Sequence, residues 1–154
     1  RSILFGVENS LISTVGLIAG ISIGANDNHF VILGASVAIV IEAVAMGAGE
    51  YLSDDAVQDL DKIKRHPDNP ALSGLLMMVA GTIAGLIPLA PVLAFAYPTS
   101  LILSITVAMV VLFLLGYIKG RVLNRRSFTS GTKTLVVGGL AALLGFAAGV
   151  LFKL

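Results

Sequence analysis

Cysteine and tryptophan are absent from this 154-residue chain, and histidine occurs only twice. Without a thiol there can be no disulfide, thiolate metal site or cysteine nucleophile. The two histidines, His29 and His66, fall in different connecting segments, and no His-Glu-x-x-His pair exists to hold zinc. No Gly-x-Ser-x-Gly elbow is present, which removes the commonest serine-hydrolase signature. A Walker phosphate loop is also missing, so any uphill movement of a solute would have to draw on an ion gradient rather than ATP. These gaps argue against an enzyme. Charge is scarce as well: 12% of residues are Asp, Glu, Lys or Arg, against about 25% in an ordinary soluble domain. That supply cannot clothe a water-facing surface. The net charge of +1 provides no field for a polyanion, so nucleic acid is not expected as a partner.

What the chain has instead is apolar length. Hydrophobic residues make up 56% and mean hydropathy is +0.97. A helix crossing the hydrocarbon needs roughly 20 mostly apolar residues. Five stretches meet that length, at about 3–24, 30–50, 74–95, 100–119 and 132–152. They are continuously apolar rather than alternating, which favours helices over barrel strands. The expected fold is therefore an all-α integral membrane protein of five transmembrane helices, a single transmembrane domain over residues 1–154 with the lipid bilayer as its solvent. Its longest connection is residues 51–73. The first stretch is too long for a signal peptide and lacks a small-residue cleavage site. The chain opens at Arg1 rather than Met, which leaves open whether a soluble domain precedes it.

Basic residues set the expected orientation. Arg1, Lys62, Lys64, Arg65, Lys119, Arg121, Arg125, Arg126 and Lys133 all fall at one rim, and only Lys153 falls at the other. The positive-inside rule then places the N-terminus in the cytoplasm and the C-terminus outside. An odd number of spans cannot be two equal inverted halves, so a pathway through the protein would need a second copy.

The remaining acids inside the spans are the informative residues, because a carboxylate at the bilayer centre costs about 2.5–3.5 kcal/mol on insertion scales. They are Glu8, Glu42 and Glu50. Glu42, Met46 and Glu50 are spaced four apart and form one stripe on the second span. Carboxylates suit hard or borderline divalent cations, and a thioether adds softness that suits a transition metal such as Fe2+ or Mn2+. Each residue also has a plainer reading: Glu42 as a buried acid paired with a polar side chain, Met46 as packing, Glu50 as a solvated helix end. On the first span Glu8, Asn9, Ser10, Ser13 and Thr14 interrupt an apolar helix. Glu8 and Asn9 can offer oxygen ligands, or simply mark a helix start wetted by headgroups.

Other patterns are weaker. Gly16, Gly20 and Gly24 repeat every four residues, as do Gly81 with Gly85 and Gly145 with Gly149. Such ridges permit close helix approach. Packing within the bundle accounts for the later pairs, whereas the first ridge shares a helix with the polar start and could line an interface. Pro88 and Pro91 are expected to kink the outer end of span three. Asp54, Asp55, Asp59, Asp61, His66 and Asp68 could gather cations weakly, but an amphipathic helix followed by a loop explains them as well.

At this point the sequence resembles the vacuolar iron transporter family. The residues that carry the resemblance are GVENSLIST near the start, EAVAMGAGEYLS in span two, and Asn69, Pro70, Ser73 and Gly74 at the start of span three. IPLAP and LFLLGYIKGR extend it over nearly the whole chain. The resemblance implies a homodimer that moves Fe2+, often with Mn2+, out of the cytosol in exchange for protons, along a path between subunits lined by span one. It implies that Met46 and Glu50 are metal ligands. The first-span motif departs from the family: Asn9 stands where an aspartate is usual, Glu8 replaces an asparagine and Ser10 replaces a glycine. The connection 51–73 is also too short for the acid-rich domain many members carry, which places the chain in the domain-lacking, nodulin-like or prokaryotic branch.

The sequence thus sets out a proton-coupled exporter of Fe2+ or Mn2+ with no permanently bound cofactor, ligated by Glu8, Asn9, Glu42, Met46 and Glu50. A passive cation channel or a membrane scaffold for an upstream domain are the competing readings. Compact loops lean toward a prokaryotic plasma membrane, or the vacuolar membrane in a eukaryote.

Overall fold

The computed structural model describes residues 2–60, 69–124 and 126–153. These residues form five helices: α1 (Ser2–Ala25), α2 (Asn28–Leu60), α3 (Pro70–Ala94), α4 (Thr99–Val122) and α5 (Ser127–Leu151). All five are long and apolar enough to cross a membrane, and no strand occurs among the described residues. The protein is an integral membrane protein, built as runs of this length and hydropathy require when every backbone polar group must be satisfied within its own segment.

The helices run past the expected spans at several ends, α4 reaching Val122 and α5 beginning at Ser127, and two of the differences have a local cause. α2 continues to Leu60, well past Glu50, because Asp54, Asp55 and their neighbours are polar without being helix breakers. α3 starts at Pro70, where proline fits the first helical position and the Asn69 side chain accepts a hydrogen bond from the Ala71 N–H at 3.0 Å. Lys62, Lys64, Arg65, Asp61, His66 and Asp68, together with Arg1 and Arg125, lie outside the described residues, as does the side chain of Asp59.

Two sharp reversals use asparagine. Asn26 after α1 and Asn124 after α4 both have φ of 51°, a left-handed conformation that asparagine tolerates better than most side chains. At the first of them Asp27 then caps α2, accepting from the His29 N–H at 2.8 Å. α3 remains helical through Pro88 and Pro91 as far as Ala94 rather than breaking at them. Its last carbonyls are met from another helix: the Asn28 side-chain amide donates to Val92 O at 3.1 Å and Phe95 O at 2.7 Å, and Asn28 Oδ1 accepts from Ser100 Oγ at 3.1 Å. One side chain on α2 thus ties α3 and the start of α4 together at this rim.

α1 is the central helix and touches the other four. Leu11, Val15, Ile18 and Ala19 of α1 are fully buried. The glycine ridge Gly16, Gly20, Gly24 runs parallel to α5 and meets Ala141, Gly145 and Gly149 of the same chain. The ridge therefore packs against α5 within the bundle, and its glycines also line the groove between the two helices. At Gly16 a Cβ would lie 3.0 Å from the Ala141 carbonyl oxygen, so the two backbones already approach as closely as glycine allows. α2 pairs with α3 in the same manner, with Gly47 and Gly74 facing each other's carbonyls.

Candidate functional site

The polar residues of α1 follow one another in sequence but point at different neighbours, since each step turns the helix by about 100°. Asn9 faces α2. Its Nδ2 donates to Glu42 Oε1 at 2.7 Å and lies 3.5 Å from Met46 Sδ. Ser13, one turn further along the same face, donates from Oγ to Glu42 Oε2. Ser10 turns inward to α3, donating to Gly81 O at 2.8 Å. Glu8 turns the other way, to α4, where Oε2 accepts from Lys119 Nζ at 2.8 Å.

The structure thus brings Asn9, Glu42 and Met46 together. Ser13 joins them although the sequence marked it only as one of several polar interruptions. Its spacing of four from Asn9 was the available signal. Glu8 is not part of this group. Glu50 lies one turn beyond Met46 on α2, half-buried, and is not hydrogen-bonded to any of these residues among those described. In the sequence Lys119 bears on orientation, and the signal for its pairing with Glu8 is the need of a carboxylate near the membrane for a partner.

Met46 owes its position to α3. A Cβ at Gly81 would stand 2.7 Å from the Met46 methyl carbon, so glycine there makes the space the thioether occupies. The methionine is held between Gly81 on one side and Asn9 on the other.

Glu42 and Glu8 differ in one respect that matters chemically. Both Glu42 oxygens accept hydrogen bonds from neutral donors, and no basic side chain among the described residues pairs with it. Glu8 has its own ammonium. The Glu42 carboxylate is therefore oriented and partly desolvated without being neutralised, which leaves its attraction for a mobile cation intact. No group of three or more His, Cys, Asp or Glu residues capable of holding a metal exists among those described. A cation at Glu42 would be shared with softer or neutral donors, namely the Met46 thioether, the Asn9 amide and the Ser13 hydroxyl.

Glu42 and Ser13 close one end of a groove of about 730 Å3 between α1 and α2. Leu17, Ile21, Val37 and Phe30 line the rest of it, so the polar group stands at the head of an otherwise apolar channel on the flank of the bundle. Leu17, Ile21 and Ala25 also border a second groove of about 540 Å3 between α1 and α5. They form a ridge with a trough on each side.

Fold and site together define a polytopic helical membrane protein with a hydrogen-bonded carboxylate set between α1 and α2. The sequence comparisons place it more narrowly. The chain belongs to the VIT family, whose model matches residues 1–66 and 56–150. It is similar to vacuolar iron transporter 1 of Oryza sativa subsp. japonica, 33% identical over 84 residues that cover 54% of this chain and 33% of the relative. It is also similar to vacuolar iron transporter 2 of the same plant, 28% identical over 212 aligned positions covering 95% of this chain and 84% of the relative. The chain thus spans a third of the length of the first relative. The second alignment is longer than the chain, so that relative carries residues with no counterpart here. The two segments matched by the family model overlap at residues 56–66, which begin within the last turns of α2.

Proposed function

We propose that this protein transports a divalent transition metal, Fe2+ or Mn2+, out of the cytosol in exchange for protons. It would work as a homodimer with its N-terminus on the cytoplasmic side and a single transmembrane domain per chain. The observation that carries this reading is Glu42. It is a carboxylate within a membrane span, fixed by Asn9 and Ser13, beside a thioether, with no basic partner among the described residues. An oxygen-rich site with one sulfur selects borderline divalent metals over alkali and alkaline-earth ions. The names of the two relatives, both iron transporters, support the same substrate class.

A single copy supplies one carboxylate and neutral donors, fewer strong ligands than such a cation takes. A second copy placed along the α1–α2 groove would supply the same set again, and the ridge between two troughs has a shape that a twofold-related ridge can meet. The carboxylate then has two uses. Ionised, it holds M2+; protonated, it resets without carrying charge. Competition of protons and metal for one group couples their opposite flows.

The test is Mn2+ and Fe2+ flux in proteoliposomes with an imposed pH gradient. Wild-type flux should rise when protons run against the metal, and Glu42→Gln should abolish it while leaving the protein folded, since the glutamine oxygen still accepts from Asn9 and its amide can donate to the Ser13 hydroxyl with the direction of that bond reversed. Flux that survives Glu42→Gln would refute the site. Flux indifferent to the pH gradient would refute the antiport and leave a passive channel.

A further inference from the structure

The Glu8–Lys119 pair is not needed to explain the group around Glu42, and its geometry is unusual for a structural ion pair. Glu8 Oε2 accepts from Lys119 Nζ at 2.8 Å, yet Oε1 of the same carboxylate is buried without a hydrogen-bond partner among the described residues. Buried polar atoms are nearly always satisfied, and each exception calls for an explanation. The Glu8 side chain is 13% exposed and that of Lys119 35% exposed, so the acid is fixed in the bundle while the base reaches toward water at the rim. Lysine is a point charge on a flexible stem. It holds one oxygen and can leave, whereas the arginine fork would clamp both. Glu8 also sits next to Asn9, which touches Glu42, and lies about one turn nearer the N-terminal rim than Ser13.

We propose that Lys119 is a tethered counter-ion that occupies Glu8 in the metal-free protein and yields it to an incoming divalent cation, making Glu8 an outer carboxylate that loads before Glu42. This rests on the metal-transport reading above. The bare Oε1 is the position from which the ion first engages the carboxylate. Once a doubly charged ion is bound there, the ammonium is repelled and its stem swings to the rim. Lys119 is thus a positioning residue. It holds Glu8 in place when no metal is present, and it sets the concentration at which metal displaces it. Monovalent cations gain nothing over the ammonium already there, so the same device favours divalent ions.

The experiment is a Mn2+ titration of the full chain in nanodiscs, read both as apparent affinity and as the metal-dependent rise in Tm. Lys119→Met removes the competitor and should tighten Mn2+ binding by about five-fold or more, the low end of ordinary coupling between linked sites. The gain should vanish in Glu8→Gln/Lys119→Met compared with Glu8→Gln. Lys119→Arg gives the opposite sign: a fork on both oxygens should raise the metal-free Tm and weaken Mn2+ binding, and this arm stands even if the methionine variant fails to fold. Unchanged affinity in both Lys119 variants would overturn the inference, as would tightening that persists without Glu8. Wild-type protein that binds no Mn2+ at all would instead overturn the transport reading and this inference with it. Binding lost in Glu42→Gln but indifferent to Lys119 would overturn this inference alone.

Discussion

Gly145→Ala adds one methyl group to α5 and should be among the most damaging small substitutions in the protein. A Cβ at this position overlaps the carbonyl oxygen of Gly16, with the Gly16 carbonyl carbon at 2.7 Å and its Cα at 3.1 Å. Relaxed carbon–carbon contacts need about 3.5–4.0 Å. All three obstructing atoms are backbone of a buried, central helix, so no side chain can rotate away. α1 and α5 must separate by roughly 1 Å, and the contact of Gly20 with Gly149 one turn along loosens with them. Overpacking of this kind costs about 1–3 kcal/mol, and at about 2–4 °C per kcal/mol for a chain near this size the apparent Tm should fall by roughly 2–12 °C. The control is Gly139→Ala, six residues earlier on the same helix. Nothing lies within 4 Å of a Cβ there, and alanine is the better helix former by about 1 kcal/mol. Heating detergent-solubilised protein and following the monodisperse peak by size-exclusion chromatography compares the two. Equal Tm values for Gly145→Ala and Gly139→Ala would show that α1 and α5 do not pack as described.

Further outcomes follow from the polar contacts. Asn9→Asp replaces the donor 2.7 Å from Glu42 Oε1 with a second carboxylate; like charges at that distance disfavour each other. The variant should melt lower than wild type without metal and gain more Tm from Mn2+, and an equal response to Mn2+ in both proteins would count against a cation site at Glu42. Asn28→Ala strips the hydrogen bonds from Val92 O and Phe95 O at the end of α3. A loss of about 0.5–1.5 kcal/mol per hydrogen bond is expected, and thermal melts indistinguishable from wild type would refute the tie.

Much of the fold was legible because membrane spans obey a length rule. Twenty or so apolar residues in sequence cannot do much else, and the stretches found at 3–24, 30–50, 74–95, 100–119 and 132–152 each fall on one of α1 to α5. The ends were less legible. Polarity marks where a span leaves the hydrocarbon, whereas helix continuation depends on backbone preference, so α2 carries on past Glu50 to Leu60. Pro88 and Pro91 read as a kink near the outer end, and how far the helix continues beyond them was not legible; α3 runs through both to Ala94, its final carbonyls answered by Asn28 from α2.

For the site, composition alone isolated the residues of interest. In a chain with so few charges, Glu8, Glu42 and Glu50 stand out, and the four-residue spacing of Glu42 and Met46 places them on one face. Their partners came from neither composition nor spacing. Successive residues on a helix diverge by about 100°, so which neighbour each one meets depends on the packing of five helices around α1. That packing sends Glu8 to Lys119, Asn9 to Glu42 and Met46, and Ser10 to the carbonyl of Gly81. Which acid keeps a counter-charge and which is left without one is a property of distances between helices far apart in the chain. The sequence by itself determined that the protein spans a membrane and which acids lie within it; the tertiary structure decided that, among the described residues, Glu8 takes the ammonium of Lys119 while Glu42 is met by the neutral side chains of Asn9 and Ser13.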